Sequence, residues 1–105
     1  MEHFKLDNDN APDVEFDGEL IGSGSSKGDN PYNSATRWGV FKIYRTKAGT
    51  LVGQVIGRTQ WEGERDRFNT RVCDSEQSLI DFFGLTDPAK EALDEAGIKT
   101  SITVE

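Results

Sequence analysis

The chain has 105 residues, 34% of them hydrophobic and 30% charged, with 19 acids against 12 bases and a net charge of −7. That length fits one compact domain, since a second core would have too little chain. An acidic protein is repelled at long range by nucleic acid and by anionic membrane, and Cys73, the single cysteine, allows no internal disulfide.

The opening Met1-Glu2-His3-Phe4 lacks the basic and apolar regions of a signal peptide, and no run of about 18 apolar residues follows. With no disulfide framework, the expectation is a cytoplasmic protein that makes no membrane contact. Residues 1–13, with Asp7, Asn8, Asp9, Asn10 and Pro12, are polar and turn-rich and read as a loose N-terminal segment ahead of a single domain over residues 14–105. Val14, Phe16 and Leu20 then alternate with Glu15, Asp17 and Glu19, the period of two of a strand with one buried face. Gly22 to Ser34 is a Gly/Ser/Asn run broken by Pro31 and reads as a long loop.

Trp38 to Arg45 and Leu51 to Arg58 are two β-rich runs around Lys47-Ala48-Gly49-Thr50, which predicts a hairpin. Arg65 to Cys73 alternates Phe68, Thr70 and Val72 with polar neighbours and extends the hairpin into a meander. Gly53 and Gly57, flanking Val55, suggest close approach of another element or a bulge. After Cys73 the period becomes helical. Asp74 reads as a cap, Leu79, Phe82 and Phe83 form a stripe, and Gly84 stops the helix. A second helix starts with Asp87 as cap and Pro88 in the first helical position, carries Ala89, Ala92, Leu93 and Ala96 on one side, and ends at Gly97. The tail from Ile98 to Glu105, with Ile102 and Val104 alternating against Ser101 and Thr103, reads as a short last strand. The class is α+β: an antiparallel sheet of four to five strands with two C-terminal helices packed on one face.

The charges are sorted along the chain. Residues 1–31 hold eight acids and two lysines, residues 32–73 eight bases and three acids, and residues 74–105 eight acids and two lysines. A fold either brings such blocks together or presents them as separate surfaces.

Catalytic chemistry finds little support. Gly22-Ser23-Gly24-Ser25-Ser26-Lys27-Gly28 resembles a phosphate cradle, but its spacing matches neither the dinucleotide nor the P-loop pattern. In Trp61-Glu62-Gly63-Glu64-Arg65-Asp66-Arg67, an extended backbone would put Glu62, Glu64 and Asp66 on one face, too few oxygens for a calcium cage. His3 stands alone near a loose end, and Cys73 reads as a small buried residue with no histidine to activate it. No catalytic residue, metal ligand or cofactor is assigned. Arg37, Lys42, Arg45, Lys47, Arg58, Arg65, Arg67 and Arg71 interleave with Trp38, Phe41, Tyr44, Trp61 and Phe68, a composition used by single-strand nucleic-acid platforms.

Tyr44-Arg45-Thr46 with Gly49, Gly57-Arg58-Thr59-Gln60-Trp61-Glu62-Gly63-Glu64, Phe82-Phe83-Gly84 and Ala96-Gly97-Ile98 resemble the EXLDI proteins, a family of small bacterial proteins of uncharacterised function. Glu91-Ala92-Leu93-Asp94-Glu95 is similar to the motif that names the family, with Glu95 in place of isoleucine. The resemblance spans residues 38–98 and implies no activity. In style, a small acidic chain of this kind also resembles anti-CRISPR proteins and other inhibitors that mobile elements direct against host defence.

The leading expectation is therefore a non-enzymatic, acidic protein-binding module that docks on a basic protein surface. Its expected contact residues are Asp13, Glu15, Asp17, Glu19, Glu62, Glu64 and Asp66, with Trp61 as an aromatic anchor. Two alternatives stand beside it. One is a nucleic-acid-binding module on the basic, aromatic sheet, although net charge disfavours direct binding; the other is a small enzyme using the Gly-rich loop and the Glu62–Asp66 cluster.

Overall fold

The computed structural model describes residues 1–26, 37–60, 63–102 and 104. Five strands, β1 (Glu2–Leu6), β2 (Val14–Ser25), β3 (Arg37–Thr46), β4 (Leu51–Thr59) and β5 (Arg67–Cys73), form an antiparallel meander in that spatial order. Helices α1 (Glu76–Phe83) and α2 (Asp87–Glu95) follow the sheet, which gives the α+β architecture expected from the sequence.

Pairing register decides which side chains meet the helices. Ile43 lies opposite Gly53, and Phe41 opposite Val55, so these positions share one face. On that face Ile43, Leu51 and Cys73 pack with Leu79, Phe83, Ala89, Ala92, Leu93 and Ile98. Ile43, Leu79 and Leu93 are wholly buried, and each such side chain contributes about 1.5–3 kcal/mol of transfer free energy. Tyr44 and Val52 point the other way, into a second cluster with Leu6, Phe4, Val14 and Phe16. The Tyr44 ring meets Phe4 edge-on at 4.8 Å and Phe16 at 5.6 Å between centroids. The sheet therefore curls, bringing its first hairpin over the back of β3 and β4.

That second core explains the first departure from expectation. Residues 2–6 are not loose. Phe4 and Leu6 alternate with His3 and Lys5, and β1 pairs with β2 from Glu2↔Gly18 to Leu6↔Val14. The alternation is present in the sequence but is short and masked by the Asp/Asn run behind it.

The second departure is at Gly22–Ser25, expected in a loop and found in β2. A bulge at Ile21 moves the register from Leu20↔Tyr44 to Gly22↔Ile43, which turns Gly22 and Gly24 toward the helices. A β-carbon on Gly22 would fall on the Ala92 carbonyl oxygen, and one on Gly24 on that of Pro88. Glycine here lets the α2 backbone lie directly on β2. Gly53 plays the same part beneath Leu79 and Phe83 of α1. Of the expected loop, residues 27–34 lie outside the described residues.

The helix ends follow local chemistry. The α1 N-cap is Ser75, not Asp74; its hydroxyl accepts from the Ser78 N–H at 3.1 Å, and Gly84 closes the helix at φ 75°. After α2, Gly97 N–H donates to the Asp94 carbonyl and Ile98 N–H to that of Leu93, a Schellman stop with Gly97 at φ 79°. Ile98 is consumed by the core, Ile102 and Val104 are exposed, and residues 98–102 form no strand where one was expected.

Candidate interaction surfaces

The helical layer carries most of the C-terminal acids. Amphipathic packing turns Ala89, Ala92 and Leu93 inward, so the outward face of α2 holds Asp87, Glu91, Asp94 and Glu95. Asp74, Glu76 and Asp81 are exposed around α1. Against these seven carboxylates the same layer offers Lys90 and Lys99. Their only described side-chain hydrogen bonds come from uncharged donors, Gln77 to Asp81 at 2.9 Å and Thr100 to Asp94 at 2.9 Å. Among the described residues no ion pair reaches any of the seven.

Glu15, Asp17 and Glu19 share the helix side of β2, beyond the stretch that α2 covers, because Glu19 pairs with Arg45 two positions from Ile43. They form the expected row and are exposed. They are not, however, a bare anionic strip. Lys5 stands opposite Glu15, His3 opposite Asp17 and Arg45 opposite Glu19. The His3 ring reaches Asp17 through Nδ1 at 2.8 Å and Glu15 through Nε2 at 3.2 Å. The hydrogen bond to Asp17 first, and that to Glu15 second, hold the imidazole pKa above its usual 6.5. Sequence reading set His3 aside; its role depends on the β1–β2 register, for which the alternation of Phe4 and Leu6 was the available signal.

Of the remaining expected contact residues, Asp13, Glu64 and Asp66 serve the chain itself. Asp13 accepts from the Asn8 N–H at 3.1 Å and fixes the turn before β2. Gly63–Asp66 forms no strand, and Gly63 turns the chain at φ 82°. Asp66 instead folds back on β4, pairing with Arg58 at 2.8 Å and accepting from the Thr59 N–H at 3.1 Å. Glu64 accepts from the Thr59 hydroxyl at 3.0 Å. Trp61 and Glu62 lie outside the described residues.

The central basic block is divided in the same way. Arg58 is held by Asp66, Arg65 by Asp9 at 3.0 Å, and Arg71 lies over the Phe82 ring at 4.8 Å. Phe41 packs on Phe83 beneath the helices and Tyr44 is 4% exposed, so neither ring is available for base stacking. Trp38 and Phe68 are half-buried. Cys73 is buried in the helix-side core, and that burial pushes its thiol pKa up. Gly22 and Gly24, filled by α2, offer no phosphate cradle. Among the described residues no three His, Cys, Asp or Glu side chains are placed to hold a metal ion, and no helix is long and apolar enough to cross a membrane. No protein-family model, no curated protein and no solved structure matches this chain.

Proposed function

We propose that the protein is a non-enzymatic binding module whose anionic helical layer docks on a basic site of another macromolecule. The observation that carries this reading is the placement of Asp74, Glu76, Asp81, Asp87, Glu91, Asp94 and Glu95 on the exposed side of α1 and α2, without an ion pair to any described residue. Glu15 and Asp17 are engaged by His3, Asp66 by Arg58 and Asp9 by Arg65, which favours the helices over the β2 row as the contact surface. A surface of this sign attracts Lys/Arg-rich partners and repels nucleic acid. A basic nucleic-acid channel is the partner type it fits, which places inhibition of a bacterial defence or nucleic-acid-handling complex within the same proposal. Kinship with the EXLDI proteins, proposed from residues 38–98, adds no activity to it.

The test compares the parent chain with a Glu91→Lys/Asp94→Lys/Glu95→Lys variant as immobilised bait in a bacterial lysate. The expected result is a basic protein retained by the parent, released as salt rises, and bound at least about tenfold more weakly by the variant. Equal retention by both chains, or retention indifferent to salt, overturns the reading.

A further inference from the structure

We propose that the outer edge of β5 is a docking strand for an acidic, extended segment of a partner polypeptide, and that residues 7–9 of this chain hold it closed in cis. This surface is separate from the helical layer, and the inference does not depend on the reading above.

β5 pairs with β4 on one side only, so the backbone groups of Phe68 and Thr70 point outward from the sheet. An unpaired row of this kind is a template for another strand. Here it is occupied by a segment that is not a strand. Asp9 N–H donates to the Phe68 carbonyl at 2.9 Å, while the Asp9 carboxylate accepts from the Phe68 N–H at 2.9 Å. The Asn8 side-chain amide accepts from the Thr70 N–H at 3.0 Å and donates to the Thr70 carbonyl at 3.1 Å. Side chains thus stand in for main chain at three of these four bonds.

Two buried side chains complete the grip. Gln54 and Thr70, 4% and 8% exposed, both donate to the Asp7 carbonyl, at 3.3 and 2.8 Å. They hold the Asp7 carbonyl on the face of the sheet that Val52 shares, next to the β5 edge. The segment is held by these hydrogen bonds and by Arg65, not by apolar burial. Between Leu6 and Val14 it has no buried residue; Asp7 and the stretch from Asn10 to Asp13 are exposed, and Asn10 sits at φ 60°.

The edge also states the charge of its occupant. Arg65, Arg67 and Arg71 are exposed along it, and Arg65 already binds the Asp9 carboxylate. Val72, two residues beyond Thr70 on the same face, is 56% exposed. An incoming strand that follows the ladder past Thr70 covers that side chain, which the segment from residue 7 to 9 does not.

The probe is a synthetic peptide with the sequence of residues 5–13, Lys-Leu-Asp-Asn-Asp-Asn-Ala-Pro-Asp. It is titrated into the full chain and into an Asn8→Ala/Asp9→Ala variant and followed by backbone amide shifts. Expected are binding to the variant at least about tenfold tighter than to the parent, shifts centred on Phe68, Thr70 and Val72, and loss of binding when lysine replaces the three aspartates of the peptide. Equal affinity for both chains, shifts elsewhere, or indifference to peptide charge overturns the proposal. Should the double variant lose cooperative melting, Asn8→Ala alone is read by hydrogen exchange. The Thr70 amide then exchanges at least about tenfold faster while Val52 is unchanged, and an unaltered Thr70 amide overturns the proposal.

Discussion

The carbonyl oxygen of Pro88 occupies the space that a β-carbon on Gly24 would take, so the first turn of α2 rests on the bare backbone of β2. The contact continues at Gly22, where Ala92 and Ala96 fill the same space. Gly24→Val therefore forces helix and strand apart and costs about 1–3 kcal/mol in urea unfolding. Gly57→Ala is the matched control. Its new β-carbon meets only the Arg67 β-carbon at 3.7 Å among the described residues, and stability stays level or rises by about 0.5–1 kcal/mol. Equal losses at both positions would show that the effect is not specific to the contact with α2.

This pair also shows where sequence reading stops. The central hairpin is legible because its signals are local: alternation on both sides of Lys47–Thr50, with Gly49 at φ 90° in the turn. Both helices are legible from their apolar stripes. Gly22-Ser23-Gly24-Ser25 has the composition of a loop, and its strand conformation rests on pairing with β3 under the cover of α2, some seventy residues later in the chain. His3 likewise acquires partners only through pairing with residues 12 and 14 positions away. Glu64 and Asp66 were legible as acids but not as caps on Thr59 and Arg58, since that depends on the chain turning back instead of continuing β5. The row of Glu15, Asp17 and Glu19 was legible, whereas the cations facing it depend on register.

The His3 bridge predicts a pH dependence. Both of its partners are carboxylates, which accept only, so each ring nitrogen must donate and the imidazolium is the form selected. With the folded pKa above 6.5, the contribution is fully present below the unfolded value and is lost as pH rises through the folded one. Lys5, on the same face of β1, is the other charge beside the ring. The difference in melting temperature between the parent and His3→Gln should be larger at pH 6 than at pH 9. An NMR titration placing the His3 pKa at or below the free value sinks this.

Cys73 is 1% exposed, and desolvation raises its thiol pKa, so the thiolate that reacts is scarce and shielded. Cys73 stands opposite Leu51 and belongs to the same core cluster as Leu79 of α1. A disulfide reagent should modify the native chain at least about a hundredfold more slowly than the urea-unfolded chain, at a rate that tracks opening of the core. Comparable rates in the two states would place the thiol at the surface.

Asp9 carries the opposite pH signature. Its carboxylate accepts from the Phe68 N–H, the larger cause of its lowered pKa, and pairs with Arg65; Arg67 adds a more distant positive charge. A folded pKa below the usual 3.8 means that the contribution is complete above that value and disappears as pH falls through the folded pKa. The parent should therefore melt above Asp9→Asn at pH 7, and the gap should close in strong acid. Arg65→Gln should narrow the gap at pH 7 without abolishing it, because the hydrogen bond from Phe68 remains. An Asp9→Asn chain as stable as the parent at pH 7, with the Phe68 amide equally protected from exchange, would show that the neutral amide closes the β5 edge as well as the carboxylate does.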